Sequence, residues 1–227
     1  MYQVKKTKEY LSRFNMISVR EEQGAEIVEK LTRKKAEVCC DPTVLTDRKR
    51  WDELSGDCPF VSEKYIFCYF IGNNPSQREF AKKLAQKTGC KILAIKHIDE
   101  YIKSDDDFGD IDYLEVGPKE FVNFIRYATY VCTDSFHGTI FSIMYNKNFF
   151  TFMRFSDSQK SSMNSRVKNI LSIVGLSNRL FENSITPEAA LAYQVDWSDV
   201  NKRLNDFRKS SREYFERAII CLKGTQE

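Results

Sequence analysis

Four apolar runs constrain this chain more than any other feature of it. "YIFCYFI" (65–71), "KILAI" (91–95), "YVCT" (130–133) and "FFTFM" (149–153) are apolar at successive positions, with no polar alternation. A strand with one face in water alternates; a strand covered on both faces does not. Between the runs lie amphipathic stretches of helical period. Phe80, Ala81, Leu84 and Ala85 stripe one, with Asn74-Pro75 as N-cap and first-turn proline and Gly89 as the stop. Phe121, Phe124, Ile125 and Ala128 stripe a second, after Gly117-Pro118 and a short strand "YLEV" (113–116). Val167, Ile170, Leu171 and Val174 stripe a third, closed by Gly175. Strand and helix in alternation predict an α/β fold: a parallel sheet with helices on both faces.

The flanks follow the same reading. "FNMISV" (14–19) and "EVCC" (37–40) are expected strands around a helix with Ile27, Val28 and Leu31 on one face. Residues 46–63 are polar, with proline and glycine, and read as a loop. "DDDFGD" (105–110) reads as a solvated loop, because its carboxylates are contiguous rather than spaced as calcium ligands are. A long helix is expected from about Trp197 to Leu222. The organisation that follows is a linker or helix remnant over 1–13, one sheet domain over 14–195, and a C-terminal helix over 196–227. That helix either packs on the domain or crosses to a further half of the protein.

Composition narrows the function classes. The formal net charge is +3 over 227 residues, with no concentrated basic face, so nucleic acid is not an expected partner. No apolar stretch approaches the roughly 20 residues of a membrane helix, and the N-terminus lacks a secretory apolar core. Seven cysteines without a CxxC fit small buried hydrophobes in a reducing compartment better than disulfides or zinc. The expected location is cytoplasmic. No metal and no cofactor are called for.

Ligands of open parallel sheets collect beyond the carboxyl ends of the strands. Residues just after a strand are therefore the candidates. His137, one of two histidines, follows "YVCT" by four residues and opens a helix beside Gly138. An imidazole there can move a proton near neutral pH, and amides at a helix start attract anions. The alternative is a capping or core histidine. Asp134, Ser135 and Thr139 share this turn. Arg20 follows the first strand and can grip a carboxylate or phosphate with two parallel bonds; its alternative is an ion pair with a neighbouring acid. Asp41 follows the second strand, and can instead cap the turn at Pro42. Asn73, Lys96 and Arg154 follow later strands, and Arg166 opens a helix. Lys96 and His97, with Asp99 nearby, can also be plain surface. No glycine-rich phosphate loop and no serine nucleophile elbow is present.

Five segments in order resemble the polysaccharide pyruvyl transferases: "ISVREEQGAEIVEKL" (17–31), "VCCDPTVL" (38–45), "YIFCYFIG" (65–72), "DSFHGTIFSIMYNKNFFTF" (134–152) and "NSRVKNILSIVGLSNRL" (164–180). The likeness runs from about Phe14 to Leu180. It implies a Rossmann-like sheet resembling the C-terminal half of a GT-B-type fold, with the N-terminal half missing from this chain. It implies transfer of the enolpyruvyl group of phosphoenolpyruvate to a sugar, as a pyruvyl ketal in bacterial exopolysaccharide, capsule or cell-wall polymer. The partners implied are phosphoenolpyruvate and a sugar or glycan acceptor, a lipid-linked glycan at the membrane being one form it could take. In this resemblance His137 matches the proton-transfer histidine and Arg20 a donor-holding arginine. Ser135, Gly138, Thr139, Arg154 and Arg166 fall among the donor contacts, with Asp41, Asn73, Lys96 and Asp134 as further candidates. Some members carry arginine at the position of Ser135, and Arg154 or Arg166 is the expected substitute. Two other classes stay open: a nucleotide-sugar glycosyltransferase half of the same architecture, and a non-catalytic domain that binds an anion or a partner.

Overall fold

The computed structural model describes residues 2–96, 101–155, 164–181 and 184–223. Its chain divides into two compact units, Met1–Leu45 with Asn201–Glu227, and Thr46–Val200. Residues 14–45, expected within the sheet domain, therefore belong with the N-terminal helix and most of the C-terminal one.

The first unit holds α1 (Tyr2–Ser12), β1 (Ser18–Val19), α2 (Glu22–Thr32), β2 (Glu37–Val38) and α3 (Pro42–Leu45). β1 and β2 pair in parallel, in a sheet of their own. The strand expected over 14–19 is only two residues long because β2 offers a partner over that length alone. The part of α10 (Trp197–Lys223) that lies in this unit is fastened to it by polar bonds. The Cys40 amide donates to the buried Ser211 hydroxyl at 2.9 Å, and Arg208 Nε donates to the Val44 carbonyl at 2.6 Å. Arg217 Nη2 reaches both oxygens of Glu37, at 2.8 and 2.7 Å.

The second unit is built on six parallel strands: β3 (Tyr65–Tyr69), β4 (Lys91–Ile95), β5 (Ile111–Tyr113), β6 (Tyr130–Thr133), β7 (Asn148–Phe152) and β8 (Leu180–Phe181). Their order, β5-β4-β3-β6-β7-β8, grows outward from β3 in both directions. This is the doubly wound Rossmann order. Right-handed crossovers then force the helices onto opposite faces, because the direction of winding reverses at β3. Ile66, Cys68 and Phe70 of the β3 segment point to one face, against Phe80, Ala81 and Leu84 of α5 (Pro75–Thr88). Tyr65 and Phe67 point to the other. There Phe67 meets Phe121 and Phe124 of α6 (Pro118–Tyr127), with ring centroids 5.6 and 6.0 Å apart. α7 (Phe136–Met144) shares that face through Phe141, 6.0 Å from Phe121. Continuous apolar runs are thus what a strand coated on both sides requires.

Local signals set the ends of α5. Asn74 accepts the Ser76 amide at 3.0 Å, Pro75 needs no donor, and Gly89 takes the left-handed φ of 68°. α8 (Asn164–Ile173) and α9 (Pro187–Leu191) complete the unit, and Gly175 ends the α8 segment at φ 75°. Three sequence expectations are corrected. Residues 46–63 are not all loop: α4 (Arg48–Ser55) forms there, too polar to announce itself, and held by tertiary contacts. Trp51 packs edge-on against Phe141 at 5.0 Å, and Tyr145 donates to Asp52 at 3.0 Å. The acidic run is not simply solvated, since Asp105 pairs with Arg78, Asp110 accepts the Ile92 amide and Phe108 is buried. β5 begins two residues before the expected strand, and the two-residue β8 was not foreseen. Five of the cysteines, Cys39, Cys40, Cys68, Cys90 and Cys132, are buried. Burial and the neighbouring Cys68 push the Cys132 thiol well up. No helix among the described residues is long and apolar enough to cross a membrane.

Asn123 closes the loop after α4. Its side chain, fully buried, accepts the Phe60 amide at 3.0 Å and donates to the carbonyls of Ser55 and Cys58 at 2.8 and 2.9 Å. Asn123→Ala orphans three backbone groups, and should cost about 2–4 kcal/mol in urea unfolding. A loss below about 1 kcal/mol would mean that the loop finds other partners.

Candidate functional site

The winding reverses between β3 and β6, which is where a doubly wound sheet places a crevice. Polar contacts span the reversal. Thr133 Oγ1 donates to the Tyr69 carbonyl at 2.7 Å. Asp134 receives two amides of the β3–α5 loop, Ile71 at Oδ1 (2.7 Å) and Gly72 at Oδ2 (2.8 Å). Arg154, just past β7, donates through Nη2 to the Asp134 carbonyl at 3.1 Å, and its Nε lies 3.7 Å from Oδ1. The phenol of Tyr69 is raised by burial, lowered by Arg154 and raised by Asp134, the net direction being up.

Arg78 braces the loop from the opposite side. It donates through Nη1 to the carbonyls of Gly72 and Asn74 at 2.6 and 3.3 Å, and through Nε to Asp105 at 2.8 Å. Its side chain is only 3 % exposed. Sequence reasoning missed it. Glu79 and Lys83 on the same helix are exposed charges, and nothing local distinguishes Arg78 from them.

The start of α7 is fixed in detail. Ser135 is the N-cap: its Oγ accepts the Gly138 amide at 3.3 Å, and its own amide donates to Thr133 Oγ1 at 3.0 Å. Thr139 is wholly buried, donating to the Ser135 carbonyl at 2.9 Å and lying 3.0 Å from Thr151 Oγ1. Its hydroxyl thus pins α7 to β7. Gly138 is demanded by packing, since an added Cβ would fall 2.5 Å from Thr133 Oγ1. His137 is exposed on this first turn, its ring edge-on to Phe136 at 5.3 Å. It is neither the cap, which is Ser135, nor a core residue.

Arg166, in the first turn of α8, stacks over the Phe136 ring at 5.5 Å. Asn164 holds both the amide and the carbonyl of Phe155, at 3.4 and 2.7 Å. Asp134, Phe136, Arg154, Asn164 and Arg166 help line a cleft of about 20 Å³, room for about one water. The structure therefore brings Asp134, Ser135, Gly138, Arg154 and Arg166 to one place, with His137 on the same turn.

The other candidates lie elsewhere or have different partners. Asn73 is exposed in the β3–α5 loop. Lys96, on the far side of β3 from β6, bonds Asp112 at 2.6 Å, and that bond raises its pKa. His97 and Asp99 lie outside the described residues. In the first unit, Arg20 Nη1 reaches Asp41 Oδ2 at 2.6 Å, and Asp41 Oδ1 accepts the Thr43 amide at 3.0 Å and the Thr43 hydroxyl. Ion pair and turn cap, the plainer alternatives for these two residues, are both formed. Among the described residues no group of three or more potential ligands could hold a metal ion.

A family model described as polysaccharide pyruvyl transferase matches residues 3–154. No curated protein matches the chain significantly. Solved structures that it is similar to include the glycotransferase of kitacinnamycin, at 13% identity and TM-score 0.46, covering 82% of this chain and 48% of that one. The wall teichoic acid polymerase TagF matches at 12% identity and TM-score 0.49, covering 100% and 62%. UDP-N-acetylglucosamine 2-epimerase from Rickettsia bellii matches at 11% identity and TM-score 0.48, covering 92% and 61%. The chain spans about half to three-fifths of the length of these proteins.

Gly138→Ala tests the packing at the α7 start. The methyl has to displace Thr133, whose hydroxyl bonds both flanking segments, so a loss of about 1–3 kcal/mol is expected in urea unfolding. Combined with Thr133→Ala, the loss should fall short of the sum of the two single losses, because the clash is gone. Strict additivity would contradict the contact.

Proposed function

Because this chain belongs to the polysaccharide pyruvyl transferase family, we propose that it supplies the donor-binding part of an enzyme that moves the enolpyruvyl group of phosphoenolpyruvate onto a sugar. The observation that carries the reading is the placement of His137. It is an exposed imidazole on the first turn after β6, at the reversal of the sheet, with Arg154 and Arg166 lining the adjoining cleft. A core or capping histidine would lie elsewhere.

The donor's chemistry asks for these groups. Phosphoenolpyruvate carries a carboxylate and a phosphate, so cations must hold it. Protonation of its methylene carbon makes C2 electrophilic. One sugar hydroxyl attacks C2 and loses its proton, phosphate leaves with the electrons of the C2–O bond, and a second hydroxyl closes the ketal. His137 handles the protons, and Arg154 and Arg166 meet the anionic groups. No cofactor enters this scheme, and the acceptor is a sugar or glycan of a polymer under assembly. Gly138 and Ser135 serve by fixing the turn that presents His137. Arg20 is proposed as a donor contact on its match to the family's arginine alone.

Calorimetry with phosphoenolpyruvate, competed by uridine diphosphate sugars, tests the donor class. Binding of phosphoenolpyruvate that the nucleotide sugars do not displace is expected; preference for the nucleotide sugars would overturn the reading. In a pyruvyl-transfer assay, His137→Gln should lose about 100-fold or more in turnover. Its melting temperature should not change, since the side chain is exposed. Near-normal turnover by this variant would remove the proton-transfer role. Arg20→Lys keeps the charge beside Asp41 but loses the planar fork, and should weaken donor binding. Unchanged affinity would leave Arg20 with its structural ion pair.

A further inference from the structure

In a sheet with this strand order, the turn after the central first strand is a natural place for a phosphate, because its backbone amides face the crevice. Here that turn follows β3, and its amides are already taken. Ile71 and Gly72 give one N–H to each oxygen of Asp134, at 2.7 and 2.8 Å. A bound carboxylate or phosphate would use the same two donors in the same way. The guanidinium of Arg154 flanks this carboxylate, and its buried Nε has no hydrogen-bond partner in the structure, being 3.7 Å from Oδ1. The Asp134 side chain is fully buried. Gly72 is fitted to it: a Cβ there would fall 2.8 Å from Asp134 Oδ2 and 3.0 Å from Arg154 Cγ. Arg78, through the carbonyls of Gly72 and Asn74, holds the turn in this shape.

We propose that Asp134 is a specificity residue: an internal anion that permanently fills the phosphate-binding turn of this sheet. The turn is then closed to ligands that need it for a phosphate, nucleoside diphosphates among them. This rests on the filled turn and not on the donor proposed above.

Asp134→Ser removes the carboxylate and leaves two amides and a guanidinium facing the space. Calorimetry with inorganic phosphate and with uridine diphosphate compares this variant with the unmodified protein. Both ligands should bind the variant about ten-fold or more tightly, the scale of charge-assisted hydrogen bonds. Excess formate should raise the melting temperature of the variant and leave that of the unmodified protein where it is. A folded variant with unchanged affinity for both ligands and no response to formate overturns the proposal. Should the serine variant not fold, Asp134→Ala, which also empties the space and is refolded in excess formate, is measured in the same way. An alanine variant that gains neither phosphate affinity nor formate stabilisation overturns it equally. Binding of phosphoenolpyruvate to the unmodified protein reports on the donor reading alone, so either idea can fail while the other stands.

Discussion

The carboxylate of Asp134 is the point on which the crevice depends. The sheet winds one way through β3, β4 and β5 and the other way through β6, β7 and β8. The loops where the two directions part carry backbone groups that the apolar core cannot satisfy, and an unpaired buried amide is costly. Asp134 answers two of them at once, and Thr133 and Ser135 answer their neighbours. The turn that presents His137 is rigid because the residues before and after it are committed to this network.

Charge pairing shapes what the crevice can attract. Four cations that sequence reading or geometry brings into question each have a carboxylate: Arg20 with Asp41, Arg78 with Asp105, Lys96 with Asp112 and Arg154 with Asp134. Pairs with one partner in solvent contribute about 0–1 kcal/mol. Breaking a buried pair costs more, about 3–5 kcal/mol, because a charge is left without compensation. Arg78–Asp105 belongs to the second kind, with both side chains largely buried. Its work is to hold loop carbonyls rather than to meet a ligand. A count of arginines near the strand ends therefore overstates the positive potential there, since Arg154 already has an anion beside it.

The same contrast separates what could be read in advance from what could not. β4, β6 and α5 were legible almost to the residue, because their signals are local. Two-sided apolar runs, an asparagine before a proline and a glycine at φ 68° each act within a few positions. α4 was not legible, since its helix rests on Trp51 meeting Phe141 and Asp52 meeting Tyr145, some 90 residues on. The division of the chain was not legible either. It falls at Leu45, inside what reads as one run of strands and helices, because β1 and β2 pair with each other and not with the six-stranded sheet.

The sequence by itself determined the fold class and the place of His137 at the head of a helix, because periodicity and turn chemistry are written in neighbouring residues. Only the tertiary structure decided what each side chain there does. It made Ser135 the cap and left His137 exposed. It turned Thr139 inward to Thr151, required Gly138 for contact with Thr133, and spent Asp134 on amides more than sixty positions away. These are distances across a sheet between residues far apart in the chain, and the spacing of residues along a sequence carries no record of them.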